Sequence, residues 1–270
     1  SGANSGTVSD SSAAGGTLIA NNSGTVKNSS APGGTLVQTN TGTITDCHVD
    51  GGSATLCANN AGGTVTDCYV SGAASTVLVG ANSGTIQKSY AAGGAKLCTT
   101  NDSGGEIINC YATGTGSVIL CGSNNGTIAN CFAAGGSGTT VGSGGTITNC
   151  YALAGSTASP IGGTTLTTDS PFASGEVAYR LNQGTGTYPG GVWGQTIGTD
   201  IGTDKLPIFG GKAVYYMQNG SPEYHNHNGY CSICTITPEY ASDQWQITSV
   251  DELYWYAQYI NGTISGITDK

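Results

Sequence analysis

Charge is scarce in this chain: only 9% of its 270 residues are Asp, Glu, Lys or Arg. Seven are basic against sixteen acidic, for a formal net charge of −9. So few cations exclude nucleic acid and anionic membrane surfaces as the main partners. Long apolar runs are missing too, and nothing approaches the ~18 residues of a membrane-spanning helix. Glycine is abundant, at 46 residues, yet it does not fall at every third position, which excludes a collagen triple helix. The Leu-x-x-Leu-x-Leu pattern of leucine-rich repeats is absent. Disorder is excluded by the opposite shortage, because disordered segments are highly charged and poor in Val, Ile and aromatics.

Repetition fills residues 6–155. Eight units open on Gly-Thr-Val/Ile or a close variant: Gly6-Thr7-Val8, Gly24-Thr25-Val26, Gly42-Thr43-Ile44, Gly63-Thr64-Val65, Gly84-Thr85-Ile86, Gly105-Glu106-Ile107, Gly126-Thr127-Ile128 and Gly145-Thr146-Ile147. Neighbouring glycines are 18, 18, 21, 21, 21, 21 and 19 residues apart. A period near 20 is that of a solenoid, whose coils bury their apolar sides only against one another. Propeller blades need ~40–45 residues and do not fit.

Each unit holds two short apolar stretches. One runs from the opening Val or Ile through a polar bend to Cys or Ser, as in Ile128-Ala129-Asn130-Cys131; the other is of the type Leu36-Val37 or Leu97-Cys98. Both read as strands. Glycine pairs such as Gly51-Gly52 and Gly93-Gly94 read as corners. Strands recurring once per coil stack in parallel at ~4.8 Å, so eight coils give a rod roughly 35–40 Å long. The fold class is therefore all-β, a parallel β-helix (β-solenoid) of about eight coils over residues 1–155, followed by a small α+β C-terminal appendage. The column from Val8 to Ile147 is its expected continuous core.

Eight of the ten cysteines fall into columns. Cys47, Cys68, Cys110, Cys131 and Cys150 share one position with Ser11, Ser29 and Ser89; Cys57, Cys98 and Cys121 share another with Ile19, Val37 and Val79. Exchange with Ser, Ile and Val points to small buried side chains. Disulfides between coils compete, but in-register Cβ atoms lie a little too far apart to bridge without strain. One residue beyond the first column runs an aromatic file, Tyr69, Tyr90, Tyr111, Phe132 and Tyr151. With the cysteines inward, these rings face outward and offer a platform for sugar rings or a partner. Burial under the segment that follows the rod is the competing expectation.

Residues 156–216 read as a capping segment, with a helix over 170–182, Ser174 as its N-cap, and Val177, Ala178 and Leu181 as its buried stripe. Trp193 and Leu206-Pro207-Ile208-Phe209 are apolar enough to cover the last coil. In residues 217–240, His225, His227, Cys231 and Cys234 have the types and spacing of a closed tetrahedral zinc site. A Cys231–Cys234 disulfide, or no bond at all, fits the same residues. Residues 241–270 read as a strand and a helix, with Leu253, Tyr256, Ala257 and Ile260 on one face.

The units at 126–133 and 145–152, the Phe-Ala-Ser-Gly-Glu-Val-Ala-Tyr-x-Leu-Asn segment at 172–182 and the closing stretch at 246–261 together resemble bacterial surface proteins with GLUG-type repeats. The Gly-Leu-x-x-Gly unit itself is degenerate here, with Leu78-Val79-Gly80 as its nearest trace. The resemblance implies a long, secreted, multidomain protein of the bacterial cell surface, adhesin-like in some members and joined to peptidases in others. No His-Glu-x-x-His occurs, so no peptidase activity carries over.

A polysaccharide-active β-helix enzyme would need two or three carboxylates close together. Here Asp10, Asp46 and Asp67 share the bend column with Asn28, Asn109, Asn130 and Asn149, which is the pattern of a turn former. An ice-binding face would need two Thr files side by side, and the neighbours of the single Thr file vary among Ser9, Lys27, Thr45 and Gln87. The expectation is a non-catalytic extracellular structural or adhesive module whose partner is a host or cell-surface glycan or protein. Because the chain opens in mid-pattern and closes on what reads as the start of another unit, it is expected to be a piece of a tandem array from which a leader has been removed. The alternative is a filament subunit that associates end to end.

Overall fold

A computed structural model describes residues 2–115, 119–135, 139–153, 164–167, 169–197, 204–219, 221–226, 239–241, 244–247, 256–257 and 260. Among these, three parallel sheets of seven, eight and seven strands form a β-solenoid. Each complete coil contributes one strand to each face, where sequence reading finds only two. The first face carries six-residue strands such as Thr17–Asn22 and Thr55–Asn60. The second carries three-residue strands that include the opening Val or Ile, such as Thr25–Lys27 and Thr85–Gln87. The third begins at His48–Asp50 and continues through Tyr69–Ser71, Tyr90–Ala92, Tyr111–Thr113, Phe132–Ala134, Cys150–Leu153 and Thr164–Thr167.

Neighbouring coils pair in register, Val26 on Ile44, Ile44 on Val65 and so on to Ile128 on Ile147. Alternation does the rest, since the middle residue of each short strand points in and its neighbours point out. From Val26 to Ile128 this column has no exposed surface, and Val8 packs against it partly buried. The bend column turns each coil from the second face to the third. Asp10, Asn28, Asp46, Asp67, Lys88, Asn109, Asn130 and Asn149 all sit there in the left-handed region, at φ between 46° and 54°. Asn and Asp tolerate that conformation, which accounts for their free exchange. Lys88 is the one residue whose side chain offers no such compensation.

The corner between the first and second faces is held by a ladder that sequence reading does not single out. Asn22 donates its side-chain amide to Asn40 Oδ1 (2.7 Å), Asn40 to Asn60 (2.8 Å), Asn60 to Asn82 (2.8 Å), Asn82 to Asn101 (2.7 Å) and Asn101 to Asn124 (2.8 Å). The same nitrogens also reach backbone carbonyls of the corner, such as Gly63 O at 3.0 Å from Asn60 Nδ2. Beside the ladder the opening glycines touch the coil before them. A Cβ at Gly24, Gly42, Gly84 or Gly126 would lie 2.1–2.2 Å from the preceding coil's glycine carbonyl oxygen. The repeat opens on Gly because no side chain fits there.

After the rod, two helices stand where one is expected: α1 (Asp169–Ala173) and α2 (Glu176–Gln183). Gly175, in the left-handed region at φ 86°, separates them and is the N-cap of α2 in place of Ser174. A helical φ at that residue would have allowed one continuous helix. Val177, Ala178 and Leu181 are buried, as the stripe requires. Trp193 and Phe209, expected from the sequence to cover the open last coil, pair in a two-stranded sheet and lie instead on the outside of the third face, against Tyr111 and Phe132. Further on, Tyr215–Asn219 pairs with Ser221–His225, and Glu239–Ala241 with Gln244–Gln246. Tyr256, Ala257 and Ile260 are helical, and Ile260 is 62% exposed.

Removing one rung of the ladder should therefore be costly. Asn60→Ala strips Asn40 and Asn82 of a partner inside the rod, and an orphaned buried amide costs ~1–3 kcal/mol. At ~2–4 °C per kcal/mol for a chain of this size, we expect a fall in melting temperature of roughly 2–12 °C. Asn59→Ala, at the exposed neighbouring position of the same strand, should change it by less than about 2 °C. Equal melting of the two variants contradicts the ladder.

Candidate functional site

The third face presents the aromatic file. Val49, Val70, Ala91, Ala112, Ala133 and Ala152 point into the rod and are buried, so the residues before them point out. His48 pairs with Tyr69, Tyr69 with Tyr90, Tyr90 with Tyr111, Tyr111 with Phe132 and Phe132 with Tyr151. From His48 to Phe132 the rings stack with centroids 4.9–5.2 Å apart and planes within 9° of parallel. Their faces are turned toward one another, and the file offers ring edges and phenol hydroxyls to its surroundings. His48 belongs to the file and is missed by sequence reading. Its signal is there nonetheless, because it follows Cys47 as each tyrosine follows its own cysteine.

The far end of the file is roofed. Phe132 is fully buried and Tyr151 nearly so, in one cluster with Phe172, Val177, Leu181 and Trp193. Phe132 meets Phe172 edge-on at 5.6 Å, and Tyr111 meets Phe209 at 5.1 Å. The loop after α2 ties down this roof: Tyr188 donates its hydroxyl to Glu106 Oε1 (2.8 Å), and Asn130 donates to Tyr188 O (3.0 Å). His48, Tyr69 and Tyr90 stay half-buried outside it. Of the five expected ring positions, Tyr69 and Tyr90 are thus open, Tyr111 is partly covered, and Phe132 and Tyr151 are enclosed. Burial, followed by the negative charge of Asp50, pushes the Tyr69 phenol up; burial, followed by Tyr69 and Asp50, does the same at Tyr90. These hydroxyls remain neutral donors.

Beside the open rings lies a small polar group. Ser71 donates its hydroxyl to Asp50 Oδ1 at 2.5 Å, and His48 Nε2 lies 3.7 Å from Asp50 Oδ2. Both partners address the carboxylate, so the histidine is not placed between serine and aspartate as a general base for the hydroxyl. The group positions His48 at the head of the file. Among the described residues no cluster of three or more His, Cys, Asp or Glu could hold a metal ion.

The cysteine columns are packing. All eight are free and buried. Cys47 Sγ donates to Thr45 O (3.2 Å) and accepts from Ser29 N (3.4 Å); Ser89 Oγ donates to Gln87 O (2.8 Å) and accepts from Cys68 N (3.1 Å). Thiol and hydroxyl thus perform the same task, which explains their exchange down the column. Burial pushes the Cys57 thiol up to about 12 and holds Cys131, with help from hydrogen bonds to Cys110 and Cys150, well above its usual range. Of the expected zinc ligands, His225 ends the strand Ser221–His225 with its ring 6.5 Å from that of Tyr215. His227, Cys231 and Cys234 lie outside the described residues. Comparison with protein-family models, curated proteins and solved structures finds no match.

Buried thiols of this kind resist modification because a reagent cannot reach them, and at Cys57 and Cys131 also because only the thiolate reacts. At pH 8 a disulfide reagent such as DTNB should leave the eight rod cysteines unlabelled in the native protein and label all eight after guanidinium unfolding, as read by peptide mass mapping. Rapid native labelling of Cys57 or Cys131 would contradict the packing described.

Proposed function

We propose that this chain is a non-catalytic structural and adhesive module of an extracellular or bacterial-surface protein, a β-helical rod that carries a contact face along its side. The observation that carries this reading is the open stretch of the third face, where His48, Tyr69 and Tyr90 line up in a stack beside Asp50 and Ser71. A rigid ladder of half-buried rings presents contact area at little entropic cost, and tyrosine edges with hydroxyls suit both glycan and protein surfaces. The low charge of the chain and its regular stack favour a scaffold over a reaction centre. Nothing in the bend column departs from the geometry of a turn, so the carboxylates Asp10, Asp46 and Asp67 have a structural explanation.

A glycan array and a cell-surface binding assay test the reading together, with the Tyr69→Ala, Tyr90→Ala double variant as comparison. Tyr111 is left in place because it also supports Trp193 and Phe209. The double variant should keep its fold and lose at least tenfold in affinity, about 1.4 kcal/mol. Unchanged affinity removes the file from the function. Turnover of a polysaccharide by the parent protein would overturn the non-catalytic reading.

A further inference from the structure

A second group of rings lies beyond the enclosed end of the file, next to Tyr151, and is arranged differently. Tyr179 projects from α2, and Tyr216 and Tyr224 stand directly opposite each other on the hairpin packed beside it. Their centroids are 5.1–5.7 Å apart with planes 37–54° from parallel. Tilted rings leave part of each face uncovered, unlike the parallel stack of the third face. Two clefts open around them, of about 410 and 510 Å3, sharing Arg180, Tyr216 and Tyr224. Asn149, Tyr151 and Gln183 line the first; Ser170, Ser174 and Glu176 line the second.

Arg180 stands between the clefts, and its side chain is 52% exposed. Its Nε donates to Glu176 Oε1 at 2.7 Å, and Nη2 lies 2.7 Å from the same oxygen. The carboxylate balances the charge but engages only part of a guanidinium's five-donor fork. An anionic ligand would have to compete with Glu176 for that fork. A purely apolar ligand would cover the exposed part of the guanidinium without replacing its water, although the Tyr151 hydroxyl and the Asn149 amide already bond within the chain. Half-buried tilted rings, with amide and hydroxyl groups and a guanidinium balanced by Glu176, suit the apolar faces and equatorial hydroxyls of a sugar. Each cleft falls within the ~300–1,000 Å3 of small-molecule sites, and two adjoining clefts accommodate more than one sugar unit.

We propose that the clefts around Arg180, Tyr216 and Tyr224 bind a neutral oligosaccharide. Burial raises the Tyr151 and Tyr224 phenols, keeping both as neutral hydroxyls beside the guanidinium. Of the aromatic file the site borrows only the enclosed Tyr151 and none of the open rings His48, Tyr69 and Tyr90, so it stands or falls separately from the open face.

Arg180 is the only arginine in the chain, so its Nε–H signal in a 1H–15N spectrum reports on the site without ambiguity. Uniformly 15N-labelled protein, with all 270 residues, is titrated with gluco-, manno-, galacto- and xylo-hexaoses and with a heparin hexasaccharide. At least one neutral hexaose should move the Arg180 signal along a saturable curve. Tyr224→Ala should weaken that binding at least tenfold, whereas Tyr69→Ala, Tyr90→Ala should leave it intact. An Arg180 signal unmoved by every neutral hexaose overturns the proposal, as does movement by heparin alone. Because the primary readout is the unsubstituted protein, an unfolded Tyr224→Ala variant does not leave the question open.

Discussion

Each asparagine of the rod ladder hydrogen-bonds its own counterpart one coil on, and the registry of the whole stack depends on that contact. A primary amide has two donors and an acceptor with two lone pairs, so it can bond to its copy above, to its copy below and to the backbone at once. Asn60 does all three, donating to Asn82 and to Gly63 O while accepting from Asn40. A slip of one residue along the strand would put Asn59 in the place of Asn60, Thr55 in the place of Leu56, and turn Cys57 out of the core. The amide column therefore fixes which residues form the core, while the apolar columns supply most of the burial. The bare glycine edge next to it lets the coils approach closely enough for the amides to meet.

Registry has consequences on the outside. Because each coil sits directly over the last, identical outward positions become files, and the third face inherits an aromatic one. Stacking begins at His48, where the third face first acquires a full strand; the two coils before it make only the bridges Ser12 to Ser30 and Ser30 to His48. The roof built from Phe172, Trp193 and Phe209 then encloses the far end of the file. The chain thereby divides one continuous file into a buried anchor for its C-terminal portion and an open surface of three rings.

The parts of this architecture visible in sequence are those that repeat with strong residue preferences. The period, the opening Val and Ile, and the cysteine positions that exchange with Ser all mark the inward columns. The Asn and Asp of the bend column mark a turn, and the left-handed φ values agree. The buried ladder is not legible in the sequence, because Asn two to four residues before an opening glycine has the appearance of ordinary turn composition. The third-face strands are three or four residues long, too short for a period to show, and most begin with an aromatic ring. The break between α1 and α2 rests on the φ of a single glycine. The docking of Trp193 and Phe209 on the side of the rod is a long-range contact that no local pattern encodes, and the tyrosine clefts beside α2 depend on the same docking.

The ladder makes the most direct demand on experiment, because side-chain amide protons normally exchange with water quickly. Those of Asn22, Asn40, Asn60, Asn82, Asn101 and Asn124 are buried in a row, each at most 1% exposed. Transferred into D2O and followed by 1H–15N spectroscopy, these six side-chain amides should persist together for hours, exchanging only through opening of the rod. Exchange of all asparagine side-chain amides within minutes would contradict the account.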